Sequence, residues 1–196
     1  MHLETRRQFL HMSGVGVAFY IRWAHDTYGF FLAFATLAVS LLIGYAITRK
    51  YREGMHLPFI SRFIELYERS EVIEEDPGKG ALSFFVGSLA VLVLFRFNIG
   101  IVSASIMILA LGDSVSTLVG RNFGRHKIFY NSEKSWEGTA AGFLFAFLGA
   151  ATQIKLGIAF VGALTGMLFE SFPLKVDDNI GVPLASGAAM SLALFF

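Results

Sequence analysis

Charge is nearly absent from long stretches of this chain, and that most limits what it can fold into. About seven apolar runs, 9–23, 28–48, 81–97, 99–119, 138–154, 156–172 and 179–196, approach the roughly 20 residues that cross a bilayer. The expectation is an all-α, polytopic transmembrane helical bundle forming one domain over 1–196. The tight turns Arg96-Phe97-Asn98 and Gln153-Ile154-Lys155 predict antiparallel helical hairpins. A soluble domain would be more polar than 55% hydrophobic and 16% charged, with a mean hydropathy of +0.60.

The cations set an orientation. With the N-terminus inside, all 16 Lys and Arg residues except Arg22, Arg96 and Lys155 fall on the inner side. The reading is a multi-pass protein of the cell membrane with its active site facing the cytoplasm. The basic N-terminus carries no small-residue cleavage site and reads as mature sequence. Between the second and third runs, Phe59, Ile60, Phe63, Ile64, Leu66 and Tyr67 recur at helical spacing among charges, predicting an interfacial amphipathic helix. A net charge of +1 argues against nucleic acid as a partner, and the absence of cysteine excludes disulfides and thiolate chemistry.

The polar residues that remain are concentrated in a few blocks, where charge inside a membrane needs a reason. Asp113, Ser116, Thr117 and Gly120 share one helical face. Asp113 could pair with an arginine from another helix; equally, it is a Mg²⁺ ligand, since that ion takes one or two carboxylates plus phosphate oxygens. Gly120 and Gly124 bracket Arg121 and precede Arg125, a pattern that aims backbone N–H groups and guanidiniums at an anion. The bland alternative is a basic anchor loop. Lys134-Ser135-Trp136-Glu137-Gly138 opens the next helix, with Lys134 and Glu137 either on phosphate and metal or simply paired.

A second acidic cluster joins Glu170 to Asp177, Asp178 and Asn179. Helix capping explains one of these aspartates but not both. Glu4, Arg7, His11 and Gly14 line one more helical face, where His11 is either a packing residue or part of a site. Gly138/Gly142 and Gly162/Gly166 read as helix-packing pairs, and such faces also admit a homodimer.

Taken in order, these blocks resemble the CTP-dependent lipid-alcohol kinases: dolichol kinase, phytol kinase and polyprenol kinase. Gly112-Asp113 through Gly124, with the Lys134 block, looks like that family's CTP-binding region. Glu170-Ser171 to Asn179 looks like its downstream acidic motif, and Arg6-Arg7 with His11 and Gly14 like its N-terminal block. The family is distantly similar to phosphatidate cytidylyltransferases, whose C-terminal signature is replaced here by Asp177-Asp178-Asn179. The chain has the size of a minimal catalytic core.

The resemblance implies phosphoryl transfer from CTP to the hydroxyl of a membrane isoprenoid alcohol, with release of CDP. Asp113, Lys134, Asp177 and Asp178 would be catalytic. Asp113, Asp177, Asp178 and Glu170 would serve Mg²⁺. Gly120, Arg121, Gly124, Arg125, Ser135, Glu137 and Gly138 would hold the nucleotide, and Arg7, His11 and Asn179 would face the substrate. The alcohol's tail would lie between helices. Two rivals stand beside this reading: cytidylyl transfer to a lipid, and a small ion-coupled transporter using the same carboxylates.

Overall fold

The computed structural model describes residues 3–54, 58, 62 and 77–195. The amphipathic helix expected around 59–67 lies outside them.

Helices dominate. The first apolar run is divided between α1 (Leu3–Met12) and α2 (Gly14–Tyr28), which meet at Ser13. Gly29, at φ 85°, takes a left-handed turn that suits glycine and releases α3 (Phe30–Arg52). Next comes α4 (Lys79–Leu94). The central helix runs Ile99–Phe123 as three pieces: α5 (Ile99–Met107), a π-helical segment (Ile108–Asp113) and α6 (Ser114–Phe123). A two-stranded antiparallel hairpin follows, β1 (Lys127–Ile128) with β2 (Asn131–Ser135). The chain closes with α7 (Trp136–Ala151), α8 (Leu156–Ser171) and α9 (Asp178–Ala193).

Each predicted run contains helix. Among the described residues, two helices, Phe30–Arg52 and Ile99–Phe123, are long and apolar enough to cross a membrane. The helices α4, α7, α8 and α9 have 16 residues each. At 1.5 Å per residue they span about 24 Å, short of a hydrocarbon core of about 30 Å. The difference lies in the turns. Residues such as Phe97 and Ile154 are apolar enough to extend a hydropathy run but belong to the connections.

The central helix is the core of the bundle. Ile101, Val102, Ile106, Met107, Ile108 and Leu109 are wholly or almost wholly buried, and α2, α4, α7, α8 and α9 all pack on its first half or on the π-helical segment. By contrast, α3 presents Phe31, Val39, Leu42, Ile43 and Tyr45 outward. Small residues let α6 and α7 cross closely: a Cβ on Gly138 would stand 2.6 Å from the Ser116 carbonyl oxygen, and one on Gly142 2.7 Å from that of Gly112.

Contacts between the ends show how the helices alternate. At one end, Arg121 of α6 reaches Glu4 of α1, and the hairpin meets the last turn of α8. At the opposite end, Arg22 of α2 donates to the Gln153 carbonyl in the α7–α8 turn, 2.5 Å away. The polar blocks therefore gather at a single end of the bundle.

Candidate active site

That end holds a cavity of about 1470 Å³, walled by α1, α2, α3, α4, α6, the hairpin and the start of α9. Arg7, His11, Asp113, Gly120, Arg121, Gly124, Lys134, Ser135, Asp177, Asp178 and Asn179 all line it. Residues far apart in the sequence meet there: the His11 imidazole Nε2 is 3.5 Å from Asp113 Oδ2, and His11 packs edge-on against Phe84.

The π-helical segment sets Asp113. Its wider turn brings Gly112 against Met167 and Ala146, where only glycine leaves room, and the next residue faces the cavity. Ser116, one turn further, donates to the Asp113 carbonyl at 3.0 Å and to Glu170 Oε1 at 2.8 Å.

The hairpin sets Lys134. Its tip is pinned to α8: Asn131 Nδ2 donates to the Ser171 carbonyl at 3.0 Å, Tyr130 hydrogen-bonds the Ser171 hydroxyl, and the Tyr130 ring stacks on Phe172. The Lys134 ammonium then donates to Glu170 Oε1. Ser135 caps α7 by accepting from the Gly138 N–H at 3.2 Å, and it packs beneath Gly120 and Gly124. Lys134 and Asp178 lie outside the predicted spans. Burial by itself would lower the Lys134 ammonium, but Glu170, Asp113 and Asp178 together outweigh it and hold the group above the ordinary lysine range. Burial, reinforced by the Asp113, Glu170 and Asp177 carboxylates and opposed by Lys134, pushes Asp178 up to about 7.

The two aspartates that looked equivalent in sequence do different things. Asp177 Oδ1 accepts from the Asn179 N–H at 3.0 Å as the cap of α9, and its Oδ2 accepts from Ser83 of α4 at 2.7 Å. Both its oxygens are engaged. Asp178 enters the first turn of the helix and faces the cavity with Asp113.

Four predicted residues do not line the cavity. Glu170 sits just behind the wall, wholly buried, and reaches the site through Lys134 and Ser116. Gly138 is a packing residue. Glu137 turns outward, because its carboxylate accepts from the His126 backbone N–H at 3.1 Å and pairs with the His126 ring at 2.6 Å. This latch closes the loop that carries Arg125, which also stays off the cavity wall. Conversely, Gln8, Lys79, Ser83, Lys127 and Glu133 belong to the site or support it without having been singled out. For Ser83 no local signal exists: it is a small hydroxyl in an apolar run, and its partner lies 94 positions away.

Fold and cavity define a class: a helical bundle with apolar side chains on its exterior and, at one end, a cavity lined by cations, carboxylates and apolar residues together. Comparison with known proteins narrows the class. Over 127 residues, 55% of the chain, it is 35% identical to the probable chloroplastic phytol kinase of Triticum aestivum, covering 42% of that protein. It is 32% identical over 133 residues to phytol kinase 1 of Arabidopsis thaliana, covering 59% of the chain and 43% of the relative. An uncharacterized protein of Methanocaldococcus jannaschii is 30% identical over 183 residues, 84% of the chain and 87% of that protein. The chain thus spans about two fifths of the plant relatives and most of the archaeal one. It belongs to one family with the archaeal protein, and over about half of its length it is similar to the phytol kinases. No family model and no solved structure matches it.

Proposed function

We propose that the protein is a CTP-dependent kinase that phosphorylates the terminal hydroxyl of a membrane isoprenoid alcohol, acting as a multi-pass protein from the cytoplasmic side. The observation that carries this reading is the meeting of Asp113, Asp178 and Lys134 on one cavity that also has apolar walls. Kinship with phytol kinases supports the acceptor class, and the resemblance of the Gly120–Gly124 and Lys134 blocks to a CTP-binding region supports the donor.

Phosphoryl transfer is largely a matter of positioning and charge neutralisation. Arg121 and Lys134 hold phosphate oxygens of the triphosphate; the backbone of 120–124 is the closing turn of α6, with the Gly124 N–H donating to the Gly120 carbonyl at 3.1 Å, and leaves that task to the side chains. The alcohol oxygen attacks the γ-phosphorus, the bond to the β-phosphate oxygen breaks, and CDP leaves. The hydroxyl proton passes to Asp178, whose carboxylate faces the cavity, while Asp177 supports it by fixing the start of α9 to Ser83.

The residues fit Mg²⁺. Asp113 and Asp178 offer carboxylates to the cavity, and the Asn179 Oδ1 and Glu170 Oε2 atoms are buried without a hydrogen-bond partner among the described residues. Among those residues no three His, Asp or Glu side chains form a ready-made cage. A site completed by phosphate oxygens is how Mg²⁺ is usually held. When bound, the ion neutralises charge on the transferring phosphates. The test is purified protein with Mg²⁺, each nucleoside triphosphate in turn and a panel of prenyl alcohols. A lipid monophosphate with CDP supports the reading; pyrophosphate with a CDP-lipid assigns the chain to cytidylyl transfer instead.

A further inference from the structure

Beyond its polar rim, the cavity has an arm whose chemistry is wholly different. Its walls are Val17 of α2, Gly44 and Ile47 of α3, and Leu82 and Phe85 of α4. Along α4 these apolar walls run beside the acidic cluster: Ser83, next to Leu82, donates to Asp177, and a Cβ on Gly87 would meet the Asn179 carbonyl. α1 packs along α6 and α2 along α5, so the chain from Glu4 to Val17 runs inward from the end where Arg121 lies. Val17 is six residues beyond His11, about 9 Å further in at the helical rise. His11, beside Asp113, therefore lies between Arg121 and Val17 in depth.

Gly44 of α3 faces Leu82 of α4: a Cβ there would lie 3.3 Å from Leu82 Cδ2. Any larger side chain at Gly44 must turn into the arm or push Leu82 aside. The neighbouring residues Leu42 and Ile43 face outward, away from the cavity.

We propose that this arm holds the hydrocarbon chain of the acceptor, next to its hydroxyl, and that Gly44 sets the bulk of chain the site admits. The proposal rests on the kinase reading for its occupant. Continuity carries it: one cavity joins an apolar passage between three helices to a carboxylate–ammonium cluster, which matches a molecule with an apolar chain and one polar end. A long chain gains from burial along the arm, whereas a short alcohol reaches His11 and Asp113 without filling it.

Two measurements test it. First, the intact protein in lipid nanodiscs is irradiated with a long-chain alcohol bearing a diazirine near its hydroxyl end, and the adducts are mapped by mass spectrometry. Adducts on Val17, Ile47, Leu82 or Phe85 are expected; adducts confined to outward residues such as Leu42 and Ile43 overturn the proposal. Second, Gly44→Phe is compared with Ile43→Phe on the outer face. Gly44→Phe should raise KM for a long polyprenyl alcohol about tenfold or more, with CTP affinity close to wild type and a short prenyl alcohol much less affected. An unchanged KM for the long alcohol, or an equal loss for both alcohols, overturns it. Should Gly44→Phe fail to fold, the adduct map of the wild-type protein decides. If wild-type protein phosphorylates no alcohol, the kinase reading fails, while the adduct map still judges the arm.

Discussion

The Lys134 ammonium donates a hydrogen bond to the Glu170 carboxylate, tying a short β-hairpin to the buried end of α8 across 36 positions of sequence. Glu170 is wholly enclosed, while about a quarter of the Lys134 side chain is exposed. The lysine thus closes the polar cluster from its outer side while its charge remains available to the cavity.

Removing one partner of such a pair strands the other. Lys134→Ala leaves a buried carboxylate without its cation and is expected to destabilise the protein by roughly 3 kcal/mol. Glu170→Gln, which keeps a hydrogen-bond acceptor for Ser116 and leaves the Lys134 ammonium partly exposed with Asp113 and Asp178 still acting on it, should cost less. Thermal unfolding of both variants in the same detergent checks the order.

Asp113, Asp177 and Asp178 should separate by phenotype. Asp113→Asn is expected to lower lipid phosphorylation at least about 100-fold with little change in melting temperature, since its carboxylate serves charge in the reaction. Asp177→Ala should instead cost on the order of 1 kcal/mol, because it deletes the cap of α9 and the link to Ser83. Ser83→Ala should reproduce part of that loss. Equal stability losses for Asp113→Asn and Asp177→Ala would contradict this division of roles.

The pH dependence of stability has a definite sign in metal-free protein. Asp178 rises from its ordinary 3.8 to about 7, chiefly through burial. The folded state therefore holds the proton more tightly than the unfolded one. That contribution is fully present below about 3.8 and is lost as pH rises through about 7. The melting temperature of the wild type relative to Asp178→Asn should fall between about pH 5 and about pH 8. A constant difference between the two proteins over that range would contradict the assignment.

Glu137 has the opposite sign. Hydrogen bonds from backbone N–H groups, its own first, and from His126 hold it down at about 2. Its contribution is present above its ordinary 4.5 and is lost as pH falls toward 2. Because it latches a surface loop, Glu137→Gln should leave nucleotide affinity within a few-fold of wild type, measured by titration at neutral pH.

The close crossing of α6 and α7 predicts a steric effect. Gly142→Val places atoms where the Gly112 carbonyl and Met167 stand. Overpacking there should destabilise by about 1–3 kcal/mol and displace Asp113, so activity falls further than stability alone explains. Comparing activity per folded molecule with the melting curve checks it.

Apolar runs marked where helices form, because helix burial depends on composition along a local stretch. The same local logic singled out Asp113 as a carboxylate and Arg121 and Lys134 as cations, all of which line the cavity, and it found the small residues that pack helices; the glycine–arginine loop it expected is instead the closing turn of α6. It ran too long at turns, where Phe97 or Ile154 contributes hydropathy without helix. Other features depended on partners far away in the chain. Asp177 and Asp178 are adjacent and chemically identical, and both line the cavity; only Ser83 of another helix, together with the capped Asn179 N–H, shows that the Asp177 oxygens are already engaged. Glu137 looked like a phosphate-site residue until His126 claimed it. The hairpin that carries Lys134 is too short to announce itself and is held by Ser171 and Phe172. Local periodicity and charge determined the elements and the chemical inventory. Tertiary packing decided which charges share a cavity and which are consumed in holding it together, because hydrogen bonding and burial are properties of neighbours in space rather than in sequence.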